Sequence, residues 1–325
     1  MMRTRKNKNT SSKHKNLSPV VYAVGGGKGG VGKSFLTTNL AMLFAKRQSK
    51  TLIIDLDFGG ANTHTYLEMK GLRHSVFDFL SGKIDQVSKI VQSTKFDNLS
   101  IITAHGQWFQ DEDVLYDRVP QLLREVKRLD FDRILLDLGA GTHVETLCGF
   151  LEADYKLTLV TPEPTSVENT YFFLKKAFFT HLKNVARKYN FSDQINSILK
   201  DKEQHGITKP SLLLKHIENE YGNVGKKITQ EFANMSPLFV INQCRTPLDF
   251  KLGDSLSQIS RNYFGLNARP LGHMSYDNKV WQSVRSMKPL SVDYPNCSVL
   301  TEIEQIYKTL KSIEKNDNNT YSLAS

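Results

Sequence analysis

The residues best suited to chemistry stand in one short glycine-rich segment, Gly25–Ser34, with the sequence GGGKGGVGKS. From Gly27 to Ser34 the spacing is G-x-x-x-x-G-K-[ST]. In such a loop backbone N–H groups surround phosphate oxygens, because glycine has no β-carbon to block their approach. Lys33 would neutralise the phosphates, and the Ser34 hydroxyl would bind Mg²⁺. The segment therefore predicts a phosphate and magnesium site; a glycine-rich turn without a ligand is the alternative.

Two aspartates could complete this chemistry. Asp57 follows the apolar run 51–54, and Asp137 follows the apolar run 134–136. Carboxylates at the C-terminal ends of parallel strands lie beside a phosphate-binding loop. There Asp57 can orient, or accept a proton from, a water that attacks the terminal phosphate, and Asp137 can hold Mg²⁺ through its water shell. A structural cap in a tight turn is the alternative for Asp57.

The elements that must position these residues alternate between strands and helices. Val20–Val24 is an apolar run before the loop, and Leu36, Leu40 and Phe44 recur at helical spacing after it. Further nearly continuous apolar runs predict buried parallel strands at 51–55, 99–103, 131–138, 157–160 and 237–242, with a last strand near Leu271. The sequence therefore predicts an α/β fold, a doubly wound and mostly parallel sheet flanked by helices.

Composition limits the class of protein. The chain has 325 residues, of which 39% are hydrophobic, so a low-hydrophobicity disordered chain is excluded. Three widely separated cysteines, Cys148, Cys244 and Cys297, provide neither a disulfide framework nor a C-x-x-C pair. No apolar run approaches the roughly 20 residues of a membrane-spanning helix. These features favour a cytoplasmic location.

The net charge of +10 is concentrated in two regions. The first 19 residues contain six basic and no acidic residues, and residues 175–235 contain eleven basic and six acidic ones. We expect a disordered basic tail at 1–18, with a purely solubilising extension as the alternative. About 70 residues separate the helix start near Val167 from the strand at 237, more than one crossover helix needs. This predicts a basic helical insertion at about 180–235, and clustered positive charge attracts membrane lipid or DNA.

The loop carries a second lysine, Lys28, ahead of Gly29 and Gly30. This K-G-G-x-G-K-[ST] form resembles the deviant phosphate loop of the MinD/ParA superfamily, whose members include septum-site, plasmid-partition and flagellar-number ATPases. The resemblance implies the MinD-like class of P-loop NTPase fold and ATP bound between two protomers, with Lys28 reaching the other subunit's nucleotide. An exposed loop lysine without a role is the alternative.

The resemblance spans residues 19–174 and 237–290 and implies roles for particular residues. Asp57 would position the attacking water together with Lys28 and Lys33, and Ser34, Asp57 and Asp137 would lie around the metal. Asn242 would read adenine, with a buried amide that serves a neighbouring loop as the alternative. The residues expected to contact the nucleotide are Gly27, Lys28, Gly29, Gly30, Val31, Gly32, Lys33, Ser34, Phe35 and Asn242.

The segment Pro162–Ser166, with the sequence PEPTS, resembles the flagellar-number branch of the superfamily. Glu163 within it either contacts nucleotide or the partner subunit, or has a purely local role. The final apolar stripe, Leu300–Ile313, is followed by polar residues, which favours packing on the core over insertion into a membrane. The sequence therefore predicts an ATPase domain at 19–313 and a polar C-terminal tail at 314–325.

The function that these features imply is an ATP-dependent dimerisation switch. ATP and Mg²⁺ would pair two protomers, and hydrolysis, stimulated by an unidentified partner protein, would release them. Such a switch would control the position or number of a cellular structure, flagella on the PEPTS resemblance. The alternative is a partition-type ATPase that binds nucleoid DNA through its basic regions. An iron-sulfur carrier is disfavoured because a C-x-x-C pair is missing. Either of the first two functions would imply peripheral attachment to the membrane or the nucleoid.

Overall fold

The computed structural model describes residues 18–106 and 112–324. The tail predicted at 1–18 lies outside these residues, except for Ser18.

Eight strands form one sheet in the order β3-β4-β2-β5-β1-β6-β7-β8. All neighbours are parallel except β3, which runs antiparallel to β4. The predicted fold class, a doubly wound and mostly parallel sheet, is confirmed. The strands are β1 (Val20–Gly25), β2 (Thr51–Leu56), β3 (Gln92–Ser93), β4 (Leu99–Ile102), β5 (Arg133–Leu138), β6 (Tyr155–Val160), β7 (Pro237–Cys244) and β8 (Arg269–Ser275).

Helices connect the strands. They are α1 (Lys33–Lys46), α2 (Thr63–Tyr66), α3 (Val76–Leu80), α4 (Glu112–Val126), α5 (Val144–Glu152), α6 (Pro164–Lys188), α7 (Ser192–Lys200), α8 (Pro210–Glu220), α9 (Gly222–Glu231), α10 (Leu252–Phe264), α11 (Asn278–Arg285), α12 (Leu290–Asp293) and α13 (Ser298–Ala324).

The sheet separates two apolar clusters because alternate side chains of a strand point to opposite faces. In β1, Val21 and Ala23 belong to the cluster that includes α4, α5 and α6. Tyr22 and Val24 belong to the cluster that includes α1 and α13. Burial on both faces explains why the central strands are apolar throughout.

The interval between β6 and β7 is helical. It holds α6, α7, α8 and α9. Their apolar side chains, among them Ile195, Leu213, Ile217 and Ile228, belong to the same cluster as the sheet residues. The extra helices thus extend the existing core.

The last helix is longer than the sequence predicted. We expected a polar tail from Glu314, but α13 continues to Ala324. Glu314 is buried, and its carboxylate accepts a hydrogen bond from the Tyr22 hydroxyl at 2.6 Å. At the end of the apolar stripe, Glu314 thus holds the helix to β1 through a buried polar contact.

Within the described residues, no helix is both long enough and apolar enough to cross a bilayer.

Candidate nucleotide-binding site

The glycine-rich loop connects the end of β1 to the start of α1, at the carboxyl edge of the sheet. Gly30 and Gly32 adopt φ values of 76° and 98°, which side chains rarely allow. A β-carbon at Gly27 would lie 2.0 Å from the Asn169 carbonyl oxygen, so the loop touches the backbone of α6. The glycines therefore allow both the turn and its close packing, and they place the loop at a helix N-terminus, where anions bind.

Lys33 lies at this helix terminus and is buried, with 6% of its surface exposed. Its Nζ donates to the Lys28 carbonyl oxygen at 3.3 Å. Burial lowers the pKa of Lys33, and the charges of Asp137 and Asp57 oppose this change. None of the ion pairs recorded for the described residues includes Lys33, so its ammonium is suited to a phosphate counter-ion.

Lys28 points in a different direction from Lys33. Its Nζ donates to Glu163 Oε2 at 2.5 Å and to Thr165 Oγ1 at 3.0 Å, at the start of α6. About a third of its side chain is exposed. The two lysines of the loop thus lie in different surroundings. Lys33 is buried beside the aspartates, and Lys28 lies at the protein surface.

Asp55 and Asp137 form a buried carboxyl pair, because β2 and β5 place them opposite each other in register. Thr63 connects them, since its Oγ1 donates to Asp137 Oδ2 at 2.7 Å and its N–H donates to Asp55 Oδ2 at 3.2 Å. Burial and the charge of Asp137 raise the pKa of Asp55 to about 8. Burial also raises the pKa of Asp137, against hydrogen bonds from Ser34 and Thr63. Burial of the pair therefore favours the protonated form of Asp55.

Asp57 lies in the loop after β2. Its N–H donates to Asp55 Oδ1 at 3.1 Å, which fixes the backbone. Its own carboxylate lies against the loop after β5, because a β-carbon at Gly139 would be 3.2 Å from Asp57 Oδ1. The side chain thus faces the cleft between two loops, where a small movement of either loop would change its position.

Ser34 and Asp137 could hold Mg²⁺ together with phosphate oxygens. The two side chains are hydrogen-bonded, and Thr37 Oγ1 donates to Asp137 Oδ1 at 3.2 Å. The described residues contain no group of three or more metal-binding side chains of the His, Cys, Asp and Glu types. Mg²⁺ commonly uses one or two carboxylates plus substrate phosphates, so this donor set fits a metal that arrives with a nucleotide.

A cleft of about 910 Å³ joins these groups, within the size range of small-molecule sites. It brings together most of the predicted residues, although Gly27, Lys28, Val31 and Asp137 do not line it. Its lining residues include Gly29, Gly30, Gly32, Lys33, Ser34, Phe35, Asp57, Gly139, Asn242, Gln243, Tyr276, Val280, Trp281 and Val284.

Asn242 has a local partner at each end of its amide. Its Nδ2 donates to the Val31 carbonyl oxygen at 2.7 Å, and its Oδ1 accepts the Gln243 N–H at 2.8 Å. A β-carbon at Gly32 would lie 2.4 Å from the same Nδ2. The amide therefore fixes the glycine-rich loop, as the alternative interpretation expected, while one N–H and one lone pair remain for a base.

Three residues that the structure places at the site were not predicted from the sequence. Asp55 was visible as a carboxylate in an apolar strand, but its pairing with Asp137 depends on strand register. Thr63, which joins the pair, has no signal in the sequence. Trp281 lies on α11 at the outer end of the cleft, and its spacing with Val280 and Val284 resembles that of any amphipathic helix.

Residues 20–192, just over half of the chain, match a family model described as an AAA domain. A stretch of 152 residues is 32% identical to the septum site-determining protein MinD of Helicobacter pylori. It comprises 46% of this chain and 56% of that protein, so the chain spans about half the length of the relatives it matches.

Solved structures share the fold across most of the chain. The septum site-determining protein MinD of Pyrococcus horikoshii, complexed with Mg-ADP, has a TM-score of 0.61 at 16% identity and covers 91% of this chain and 97% of that one. A putative plasmid partition protein of Borrelia burgdorferi, bound to AMPPNP, has a TM-score of 0.58 at 17% identity and covers 90% and 99%. At these identities the likeness establishes the fold alone.

Proposed function

Because the chain belongs to the AAA domain family, within the MinD/ParA superfamily of P-loop ATPases, we propose that it is an ATP-dependent dimerisation switch. ATP pairs two protomers, and its hydrolysis to ADP and phosphate separates them. The homologue structures with Mg-ADP and AMPPNP support the choice of nucleotide and metal.

The observation that carries this proposal is the divergence of the two loop lysines. Lys33 lines the cleft of its own protomer, whereas Lys28 is absent from that lining and lies at the surface beside Glu163. Lys28 belongs to the phosphate loop but is directed away from the cleft of its own protomer. In that direction it can reach the nucleotide of a second copy. In the paired state Lys28 would exchange Glu163 for a phosphate.

The proposed chemistry assigns one task to each group. Lys33 and the loop N–H groups hold the phosphates, and Asp57 orients the attacking water. Ser34 and Asp137 hold Mg²⁺, which neutralises developing charge on the transferred phosphoryl group. Because Asp57 lies between two loops, pairing or a stimulating partner would adjust its position, and we expect turnover to be slow without them.

Light scattering of the full chain with ATP and with ADP tests the switch. We expect wild type to pair with ATP and not with ADP, and Lys28→Ala to bind ATP through Lys33 but to remain monomeric. Lys46→Ala, an exposed lysine at the end of α1, is the matched control and should pair normally. An unchanged dimer fraction in Lys28→Ala would contradict the proposal.

A partition-type function, with nucleoid DNA as the anionic surface, is supported by the charge of the insertion. Its exposed basic residues include Lys183, Arg187, Lys200, Lys202, Lys215, Lys226 and Lys227. Co-sedimentation with duplex DNA and with anionic vesicles, each with ATP and ADP, distinguishes DNA from membrane lipid as the anionic surface that the protein binds. Salt-sensitive binding to DNA that needs ATP would favour partition, because phosphate contacts release counterions.

The PEPTS segment supports flagella as the structure that the switch positions. In the fold this segment forms the β6–α6 turn, where Glu163 and Thr165 hold Lys28. A changed number or position of flagella in cells that lack the protein would support this assignment. Normal flagella in such cells would contradict it.

We propose that the protein acts in the cytoplasm, with attachment to membrane or nucleoid in its ATP-bound state.

A further inference from the structure

The cleft has two chemically different ends. At one end lie Lys33, Ser34 and Asp57, which suit phosphate and metal. At the other end lie Tyr276 and an apolar face of α11, formed by Val280, Trp281 and Val284. The second end has none of the groups that bind phosphate, and the proposed function leaves it without a role.

The distance between these ends follows from the sheet order. The glycine-rich loop follows β1, whereas Tyr276 follows β8, three strands away through β6 and β7. With strands about 4.8 Å apart, three spacings amount to about 14 Å. This is the scale of an extended nucleotide. In the opposite direction the cleft is bounded by Asp57 and the loop after β5, so a base would extend toward α11.

Trp281 is unusual because 58% of its surface is exposed although it lines a cleft. The guanidinium of Arg285 lies 5.3 Å from its ring centroid, on the same helix. Exposed aromatic surface beside a cationic group is a common surface for stacking a base. The exposed ring of Trp281, at the mouth of a polar cleft, is therefore suited to stack against a planar ligand.

The helix that carries Trp281 is held firmly at its start. Asp277 accepts the Lys279 N–H at 2.8 Å and the Cys297 Sγ–H at 3.4 Å. The Tyr276 N–H donates to the Cys244 carbonyl oxygen at 2.9 Å, which connects the turn to β7. The backbone that carries Trp281 is thus positioned before a ligand arrives, which reduces the entropic cost of binding.

We infer that Trp281 is a nucleotide-binding residue that stacks on the nucleobase of the bound nucleotide and closes the outer end of the cleft. This inference rests on the proposed function, since it requires that phosphates occupy the loop. Stacking of one base on an aromatic side chain is worth about 5- to 150-fold in affinity by substitution. ADP and ATP should benefit equally, because both carry the same base.

Fluorescence titration of the full chain tests the inference. The sequence has two tryptophans, so Trp108→Phe leaves Trp281 as the single reporter. We expect ADP with Mg²⁺ to change its emission. Because replacing Trp281 removes the reporter, isothermal titration calorimetry compares the variants. Trp281→Ala should bind ADP about 5- to 150-fold more weakly, and Trp281→Phe should retain most of the affinity. Binding of inorganic tripolyphosphate, which has no base, should be the same in all three proteins.

Met287→Ala is the matched control, because Met287 is 60% exposed just beyond α11 but does not line the cleft. It should bind ADP as wild type does. Equal ADP affinity in Trp281→Ala and wild type, or no change in emission at saturation, would overturn the inference. So would normal ADP affinity combined with lost ATP-dependent pairing, which would assign Trp281 to the subunit interface.

Failure of the proposed function would look different. In that case wild type would bind neither ADP nor ATP, or would bind both without pairing. The first result overturns the base contact as well, whereas the second leaves it standing, because stacking is measured with ADP and does not require a second protomer.

Discussion

At the scale of single residues, Lys28 is held within its own chain by Glu163, which the proposed pairing would displace. Glu163 and Thr165 both accept hydrogen bonds from its Nζ. About a third of the Lys28 side chain and more than half of the Glu163 side chain are exposed. An exposed ion pair contributes about 0 to 1 kcal/mol of stabilising free energy. The contact with Glu163 would therefore oppose, but not prevent, the proposed exchange of Glu163 for a phosphate.

Glu163→Gln should therefore lower the ATP concentration needed for half-maximal pairing, by at most about five-fold. The amide removes the charge that holds Lys28 while preserving the size of the side chain. Sedimentation velocity across an ATP series measures the shift. Glu168→Gln, on the exposed side of the same helix, should leave the midpoint unchanged. A higher ATP requirement in Glu163→Gln would instead show that Glu163 contacts the nucleotide or the partner subunit.

At the scale of elements, the phosphate loop depends on a close approach to α6. A β-carbon at Gly27 would lie 2.0 Å from the Asn169 carbonyl oxygen and 2.2 Å from its carbon. Both atoms belong to the helix backbone, which cannot move aside as the end of a side chain can. The loop therefore has its shape partly because a helix more than 130 residues later in the chain supports it.

Gly27→Ala should shift the loop, with a loss of about 1–3 kcal/mol in the free energy of unfolding and at least ten-fold weaker ATP binding. Urea unfolding and nucleotide titration measure the two effects. Gly253→Ala in α10 is the control. There the nearest atom to a new β-carbon would be Pro270 Cβ at 3.4 Å, and alanine favours a helix. Retained ATP binding in Gly27→Ala would contradict the packing argument.

The sequence predicted elements best where a local pattern alone determines them. The central strands were visible because burial on both faces makes them continuously apolar, and the loop was visible through its glycine spacing. The two-residue strand β3 was not predicted, because Gln92 and Ser93 are defined only by pairing with β4. The continuation of α13 beyond Ile313 was missed because the residues there are mostly polar and have no apolar stripe.

For the site, too, local motifs could be predicted from the sequence and contacts between distant residues could not. Lys33, Ser34, Asp57 and Asp137 were predicted from motifs of a few residues. The pairing of Asp55 with Asp137 was not, because it requires the register of β2 against β5. For Asn242 the sequence left two roles open, and its contact with Val31 is a property of the folded chain.

At the scale of the whole molecule, α13 connects the end of the chain to its central strand. Glu314 is only 6% exposed at its side chain and lies 3.3 Å from Arg133, which in turn donates to the Tyr22 hydroxyl at 2.9 Å. Lys311 also pairs with Glu314. Burial and the neighbouring Glu314 carboxylate raise the pKa of Tyr22 well above its usual value, against the charge of Arg133, so its hydroxyl remains a donor.

Glu314→Ala should lower the free energy of unfolding by about 3 kcal/mol, because it leaves Arg133 and the Tyr22 hydroxyl without their buried acceptor. Urea unfolding followed by circular dichroism measures the loss. Glu304→Ala removes a more exposed ion pair with Arg47 on the same helix, and should cost less than about 1 kcal/mol. Equal losses in the two variants would show that burial of the Glu314 network is not what stabilises the last helix.

The bond between Tyr22 and Glu314 joins residues that are 292 positions apart. During synthesis the acceptor for the Tyr22 hydroxyl is added 292 residues after its donor. Contacts of such long range form slowly and leave apolar surface uncovered in the meantime. The nascent chain should thus remain vulnerable to aggregation and proteolysis until translation has passed Glu314.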